Sequence, residues 1–288
     1  MKRMDYVHPI ILFLYFMMVI FITMITNNPV LISISFFSSL FLYAMFTSFK
    51  NMFKKLGLFL ILMIFMALIN PIFSRYGKTI LFSIGYYNFT LESMLYGFFT
   101  SMMLVSVIIW FMSYSIVFKS DKFIYLFGKI IPKISLVISV TLNFIPRFTH
   151  YFKEIDDAQR SLGVYEKKAL RMKLRVFSIV FGMSLESAIE TSNSMRARGY
   201  GKSGRSNYSI FKWRKADLIL GIIWIAFGVY SFISILSNSD YNYYPVLDHI
   251  TVDLKMISIC GSFLLLAISS TILEIKENIL WHYLKLKN

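Results

Sequence analysis

The chain has 288 residues, of which 57% are hydrophobic and 16% charged, and its mean hydropathy is +0.64. A soluble domain of this length cannot bury so much apolar surface, so composition excludes that class and lipid is expected to be part of the solvent. The formal net charge of +15 is expected to face anionic headgroups or an acidic protein surface.

Six uncharged apolar runs are each long enough to cross a bilayer as a helix, which takes about 17–25 residues. The runs are Ile10–Thr26, Val30–Phe49, Leu56–Phe73, Met94–Phe118, Leu218–Leu236 and Met256–Leu273. Backbone groups must pair internally in hydrocarbon, and the runs show no strand-like alternation. The sequence therefore predicts an all-α, polytopic helical membrane protein with about six transmembrane helices. No small-residue cleavage site follows Thr26, so the first run is predicted to be a helix rather than a signal peptide.

The distribution of Lys and Arg predicts the orientation. With the N-terminus inside, the inner segments carry 27 basic residues and the outer segments carry three, Arg75, Lys78 and Lys255. The positive-inside rule then places both termini and residues 119–215 in the cytoplasm. Three regions follow: residues 1–118 with transmembrane helices 1–4, residues 119–215 with cytoplasmic or interfacial helices, and residues 216–288 with the last transmembrane helices and a basic tail.

Several function classes lack the residues they need. A self-sufficient membrane channel or secondary carrier is one possible function, and such proteins need ionisable groups at membrane depth. The six runs contain no Asp, Glu, Lys or Arg, which argues against it. No nucleophile–base constellation is present, and the four histidines and the single Cys260 share no ligand spacing, so neither an enzyme nor a metal site is expected. Residues 119–215 show no nucleic-acid reader motif, so no nucleic-acid partner is expected.

The middle region carries 19 basic and seven acidic residues. Its apolar stretch Ile134–Pro146 is too short to span and is predicted to be an interfacial or buried helix that Pro146 ends or kinks. Two later stretches end in Gly163 and Gly199, which suit helix C-caps. Basic residues in the last turns, Arg160 and Arg196 with Arg198, either complement the helix dipole or bind carboxylates of a partner.

The stretch "SMRARGYGKSGR" contains Gly201-Lys202-Ser203, the tail of a phosphate-binding loop. Such a loop reads G-x-x-x-x-G-K-[ST] and needs its first glycine at position 196, which is Arg196. A side chain there would obstruct the backbone cradle around a phosphate, so ATP is not expected to bind here.

Longer motifs carry a resemblance to a known family. "FGKIIPKISLVISVTLNFIPRFTHYFKEIDDAQRSLG" and "SMRARGYGKSGRSNYSIFKWRKAD" resemble the transmembrane T component of energy-coupling factor (ECF) transporters, the EcfT/CbiQ family. "HPIILFLYFMMVIFITMITNNP" and "LFSIGYYNFTLESMLYGFF" are similar to the first span of that family and its third-to-fourth connection. The resemblance covers about residues 8–237, so the role of residues 238–288 stays open.

The resemblance implies a micronutrient importer in a prokaryotic cell membrane. Two cytoplasmic ABC-type ATPases hydrolyse ATP, a separate membrane-embedded S component captures a vitamin or a metal ion, and the T component couples them. The T component itself is non-catalytic and binds no cofactor, since ATP is bound by the partner subunits. Which substrate the S component selects does not follow from this chain.

The resemblance also implies two coupling helices whose ends dock in grooves of the ATPases. The second docking motif is Ala197-Arg198-Gly199, preceded by Arg196, and the first is Ser161-Leu162-Gly163, preceded by Arg160. Leu162 stands where the family commonly has arginine. Either an irregular last turn lets Arg160 reach the groove, or the first docking is mainly apolar through Leu162.

Two further expectations concern the surroundings of these motifs. Arg196 stands where relatives often have an acidic residue, so the two ends are expected to differ in charge and to suit non-identical ATPases. In the complex the docking charges are expected to be partly buried, with apolar support from Met195, Leu162, Tyr200 and Val164. A platform for the S component, or else ordinary helix and lipid contact, is expected from Ile134, Val137, Phe144, Met183, Leu185 and Ile189.

Overall fold

The computed structural model describes residues 4, 7–47, 49–73, 77–84, 87–128, 132–163, 169–200, 211–238, 241–248 and 253–287. The described residues form α1 (Pro9–Ile25), α2 (Pro29–Phe46), α3 (Phe49–Phe73), β1 (Ile80–Ile84), β2 (Tyr87–Thr90), α4 (Leu91–Val117), α5 (Ser120–Gly128), α6 (Pro132–Ser161), α7 (Ala169–Ala197), α8 (Lys215–Asn238) and α9 (Leu254–Lys287). The chain divides into two compact units. The membrane unit comprises Met1–Lys119 and Phe211–Asn288, and the middle unit comprises Ser120–Ile210.

The membrane unit confirms the all-α, polytopic fold class. Five of its helices are long and apolar enough to cross a bilayer, within Pro29–Phe46, Met52–Phe73, Leu91–Val117, Lys215–Ser237 and Leu254–Lys276. The predicted first span is a shorter apolar helix of 17 residues, Pro9–Ile25, at the lower limit for crossing. Large apolar side chains such as Phe53, Ile61 and Leu236 are exposed on these helices, as expected for surfaces solvated by lipid.

Local sequence explains where three of these helices begin. His8 and Asn28 each precede a proline at the first helical position, where the missing N–H of proline costs nothing. Asn28 Oδ1 accepts a hydrogen bond from the Val30 N–H at 3.0 Å. Thr90 caps α4 in the same way, with its Oγ1 accepting from the Ser93 N–H at 3.4 Å.

Several buried polar side chains in the core of the membrane unit bond across helices. Helix α4 contacts α1, α2 and α3, while α9 contacts α2 and α8. The Tyr15 hydroxyl donates to Ser270 Oγ at 2.8 Å, and Trp110 Nε1 donates to Ser35 Oγ at 3.1 Å. Such bonds remove the cost of placing hydroxyl and indole groups away from water. They fix α1 against α9 and α2 against α4.

The sequence did not predict the short hairpin between α3 and α4. Strands β1 and β2 pair antiparallel, with Ile80 opposite Thr90 and Ile84 opposite Tyr87. Helix α4 begins three residues before the predicted span, so Glu92 lies in its first turn and is 1% exposed. Glu92 Oε1 accepts hydrogen bonds from the backbone N–H groups of Lys78 (3.3 Å) and Thr79 (3.1 Å). The carboxylate thus fastens the hairpin to a helix N-terminus, where negative charge is favoured.

The middle unit contains α5, α6 and α7, and α6 packs against both neighbours. Helix α6 does not end at Pro146 but continues for fifteen residues to Ser161, which corrects the expectation of a short helix ending there. One lost backbone bond costs about 3 kcal/mol, and the long regular helix on both sides outweighs it. Helix α7 runs without interruption over 29 residues. Among the described residues, neither α6 nor α7 qualifies as a membrane span.

Candidate docking site at the ends of the paired helices

The end of α7 is closed by a left-handed glycine. Gly199 has φ +78°, a conformation that glycine adopts without the strain of a side chain. Its N–H donates to the Arg196 carbonyl at 2.9 Å, and the Tyr200 N–H donates to the Met195 carbonyl at 3.0 Å. These two bonds are the Schellman motif, which satisfies the free carbonyls at the end of a helix. Arg198 is the residue at the cap and is exposed.

The end of α6 has the same backbone geometry. Gly163 has φ +71°, and its N–H donates to the Arg160 carbonyl at 3.1 Å. The Leu162 N–H donates to the Ala158 carbonyl at 3.0 Å, a regular helical bond. The glycine C-caps expected from the sequence are therefore present at both helix ends.

The shared geometry sets the correspondence between the two ends. Counting back from the two glycines, Leu162 occupies the place of Arg198, and Arg160 occupies the place of Arg196. Because the last turn of α6 is regular, Arg160 and Leu162 project about 200° apart. Leu162 is 73% exposed. The geometry thus favours the interpretation in which the first end presents an apolar side chain where the second presents a guanidinium.

The electrostatic surroundings of the two ends also differ. Arg160 Nη2 lies 2.8 Å from Asp156 Oδ2, one helical turn earlier. The corresponding position on α7 is Ser192, which carries no charge. Within the part of the chain that the structure describes, Arg196 and Arg198 make no ion pair and both are exposed. The first end is therefore close to neutral, while the second carries two unpaired positive charges.

The residues expected to support the docking are divided between the two ends, with Leu162 and Val164 at the first and Met195 and Tyr200 at the second. Met195 is half-buried and Tyr200 is 38% exposed. Val164 and residues 201–210, including Gly201-Lys202-Ser203, lie outside the described residues. The burial of the docking charges in a complex stays a prediction.

The candidate platform residues lie on the two long helices of the middle unit. Ile134 is in the first turn of α6, and Val137 follows it with 61% exposure. Phe144 is half-buried and stacks on Phe148, with ring centroids 5.3 Å apart. On α7 the apolar side chains Met183, Leu185 and Ile189 are 41%, 52% and 63% exposed. Both helices thus expose apolar side chains, and their role as a platform for the S component stays a prediction.

The match to known proteins covers these same helices and the spans before them. A family model described as "Cobalt transport protein", CbiQ, matches residues 6–209. That range includes α1–α7 and both helix ends. It also includes the hairpin of the membrane unit.

Curated relatives agree with that family. One is the energy-coupling factor transporter transmembrane protein EcfT of Lactobacillus helveticus (strain DPC 4571), which is 37% identical over 95 residues, 31% of this chain and 34% of the relative. Another is EcfT 1 of Listeria monocytogenes serotype 1/2a (strain 08-5578), 35% identical over 100 residues, 32% of this chain and 37% of the relative. The chain thus matches about a third of the length of these relatives. Because the family model covers well over half of the chain, we conclude that the chain is a membrane protein of the family described as cobalt transport protein (CbiQ).

Proposed function

We propose that this protein couples ATP hydrolysis by two cytoplasmic ABC-type ATPases to the uptake of a micronutrient, a vitamin or a metal ion. A separate membrane-embedded S component captures the substrate. The chain itself performs no catalysis and binds no ATP. It works in a prokaryotic cell membrane, with both termini and the middle unit in the cytoplasm, as the excess of inner Lys and Arg predicts.

One observation carries the proposal. Two long helices of a single unit end in the same glycine-capped geometry, and each presents one exposed side chain at the cap, Leu162 or Arg198. Two equivalent ends on one non-catalytic chain suit a pair of similar subunits, each receiving one end. Membership of a transporter family and the names of the relatives support the same assignment.

The helix ends have to transmit force. Closure of the two ATPases around ATP would move both docked ends together, and α6 and α7 would slide or tilt against each other in a shear motion. Solvent-exposed ion pairs are each worth only about 0–1 kcal/mol. Docking therefore has to bury the caps in grooves of the ATPases, where a guanidinium forms paired, charge-assisted bonds to a carboxylate.

The S component is proposed to rest on the apolar side chains of the later part of α7. Met183, Leu185 and Ile189 are exposed there. Flexible and apolar side chains re-pack readily against exchangeable partners. The substrate is selected by the S component, so different substrates are compatible with the same T component.

The buried carboxylates of the membrane unit do not favour the alternative function, a self-sufficient channel or carrier. Glu92 and Asp217 are buried, but both lie in the first turns of their helices, and Glu274 lies near the far end of the α9 span. Glu92 is engaged by the hairpin backbone. These carboxylates form no row of ionisable groups through the bilayer, which an ion path requires.

Co-purification tests the proposed function. The full chain, expressed with its genomic neighbours and isolated by a tag, is expected to bring down two ABC-type ATPases in equal amounts. Arg198→Glu is expected to lose the ATPase that docks at this end, while Arg147→Glu, a charge reversal on the exposed surface of α6, retains both. Full retention of both ATPases by Arg198→Glu would contradict the proposal.

A further inference from the structure

Both chain segments that lead into the middle unit leave the membrane unit beside the start of α1. The middle unit, Ser120–Ile210, is inserted in the membrane unit and is joined to it at both ends. Next to each junction, an aromatic residue of the membrane unit contacts α1 or its N-cap. Phe118 contacts Phe13, and Trp213 contacts His8. We call these four residues the α1 clamp.

The stack of Trp213 on His8 holds the second junction. The two rings lie nearly parallel, with centroids 3.7 Å apart and an angle of 19° between their planes. His8 is 1% exposed, and its Nδ1 accepts a hydrogen bond from the Ile10 N–H at 3.4 Å, so the imidazole caps the first turn of α1. Contact between aromatic rings stabilises beyond the burial of their area. Trp213 is therefore bound to a ring that belongs to the start of α1.

This stack pins a connector that could otherwise bend. Residues 211–214 are not helical and directly precede α8. Such residues at the end of an element are where hinge rotations occur, because their φ and ψ angles can change without breaking a helix. On the α8 side, the Arg214 carbonyl accepts from the N–H groups of Asp217 and Leu218 at 3.0 and 3.2 Å. Trp213 thus fixes the connector immediately before the residue that α8 captures.

The first junction is short and is also anchored. Only Phe118 and Lys119 lie between α4 and α5. Phe118 is 8% exposed, and its ring stacks on Tyr114 with centroids 4.8 Å apart. The same ring lies 6.1 Å from the ring of Phe13 on α1. The end of α4 is thereby closed against α1, and little chain is left there to bend.

Helix α1 is itself held closely by two other helices of the membrane unit. A Cβ at Gly228 of α8 would lie 2.6 Å from Met18 Sδ, so the missing side chain lets α1 and α8 pack closely. The Tyr15 hydroxyl bonds Ser270 Oγ of α9 at 2.8 Å. Because packed interiors are hardly compressible, a displacement of α1 reaches α8 and α9.

We propose that the α1 clamp ties both connections of the middle unit to α1, so that a movement of the middle unit displaces α1 and the helices packed on it instead of bending the connectors. The source of that movement rests on the proposed function, since docked ATPases would supply it. The anchoring itself concerns residues of the membrane unit alone. It gives a role to the contacts His8–Trp213 and Phe13–Phe118, which neither ATPase docking nor the S-component platform uses.

The first test measures the anchoring in the full chain, reconstituted into lipid nanodiscs without partner proteins. A nitroxide is attached through Lys212→Cys in a Cys260→Ser background, and its spectrum gives the fraction of mobile label. Trp213→Ala is expected to raise the mobile fraction about threefold, the effect expected from losing one aromatic pair. His8→Asn removes the ring but keeps a favourable N-cap residue, and it is expected to raise the mobile fraction equally.

Two controls and a double variant identify the stack as the cause. Trp213→Phe keeps an aromatic ring and is expected to change the mobile fraction less than Trp213→Ala does. Phe232→Ala, a change at an exposed ring later on α8, is expected to have no effect. His8→Asn combined with Trp213→Ala should add nothing to either change alone, because both remove the same contact. Additive effects, or an unchanged spectrum in both single variants, would overturn the proposal.

The second test measures transmission in the intact complex. The Cys260→Ser chain carries nitroxides through Leu14→Cys on α1 and Ile61→Cys on α3, two exposed positions, and is assembled with cysteine-free partners. In the parent, trapping the ATPases closed with ATP and vanadate is expected to shift the distance between the two labels. Trp213→Ala with Phe118→Leu should reduce this shift about threefold, because the released connectors then absorb the movement.

The outcomes separate failure of this proposal from failure of the proposed function. A parent chain that captures no ATPase contradicts the proposed function, and the nanodisc spectra then still decide whether the clamp anchors the connector. With both ATPases bound and hydrolysing ATP, no distance shift in the parent would overturn the proposal. An undiminished shift in the double variant would overturn it as well.

Discussion

The ends of α6 and α7 share a backbone and differ in their side chains. Both close with a left-handed glycine whose N–H bonds the carbonyl three residues earlier. At the cap, however, α6 has Leu162 and α7 has Arg198. Two residues earlier, Arg160 of α6 is paired with Asp156, whereas the corresponding Arg196 of α7 makes no ion pair among the described residues. The shared backbone gives both helices a well-ordered end, whereas the side chains are expected to determine which ATPase groove each end enters. Under the proposed function we therefore expect two non-identical ATPases, one recognised by charge and one by an apolar side chain.

The largest expected effect is on the charged end. Arg198→Glu should weaken association with its ATPase about 100-fold, because losing one partner of a buried charge pair costs about 2–5 kcal/mol. Arg160→Glu should weaken association less than about fivefold, because Arg160 is already paired and projects away from the cap. Binding of the two purified ATPases to the detergent-solubilised chain measures both. Equal losses of ATPase association from the two charge reversals would contradict the proposed asymmetry.

The apolar end is expected to depend on Leu162. Leu162→Ala should weaken association with the other ATPase about tenfold, since burying a leucine contributes about 1.5–3 kcal/mol. Leu162→Met keeps the volume and should stay within about twofold of the parent chain. The same binding measurement serves here, and no effect of Leu162→Ala would show that this side chain does not enter a groove.

Substitution of the two glycines tests the backbone geometry that the two helix ends share, rather than the difference between their side chains. Gly163→Ala and Gly199→Ala each force a side chain into the left-handed region, at about 1–2 kcal/mol. Amide hydrogen exchange in the last turn should accelerate at least fivefold at both ends, and asparagine should recover part of the loss. A Cβ at Gly163 meets no atom within 4 Å, so crowding cannot explain the effect there. A strong response at one end only would mean that the two caps are not equivalent.

The smallest expected effect concerns the ion pair. Asp156→Asn should change ATPase association less than about threefold, because an exposed helical pair is worth about 0–1 kcal/mol. The converse change, Ser192→Asp, places a carboxylate one turn before Arg196 and should weaken the charged end about threefold. Salt should diminish the effect of Ser192→Asp, which titration of binding against ionic strength checks. A tenfold effect of Asp156→Asn would assign Arg160 a direct role.

The sequence was most informative where the physics is local. Apolar runs predicted the spans because length and hydrophobicity suffice for a helix in lipid. Gly163 and Gly199 predicted the two caps because few other residues adopt a positive φ. The first predicted span is a helix as well, but Pro9–Ile25 has only 17 residues and is shorter than the five candidate spans.

Features that depend on tertiary context were missed or misplaced. Pro146 suggested an end or a kink of the helix; α6 does not end there, because a long helix tolerates one missing bond. Thr90 and Glu92 looked like residues of an outer loop, and only the folded hairpin shows that they begin α4. A threonine followed by an acidic residue is a signal for the start of a helix. The predicted start of the span was nevertheless placed at the first residue of the uncharged run. The sequence also left open whether Arg160 reaches the groove or Leu162 docks, and the regular hydrogen bond of the last turn favours Leu162.

Site-specific photocrosslinking in the intact complex tests the central claim most directly. A benzophenone amino acid at position 162 or 198, introduced into the full chain co-expressed with its partners, reacts with whatever lies within a few ångströms. Each position is expected to crosslink to one ATPase, with different ATPases captured from 162 and from 198, while position 147 captures neither. Reaction of positions 162 and 198 with lipid or solvent alone, in a complex that still hydrolyses ATP, would contradict the account.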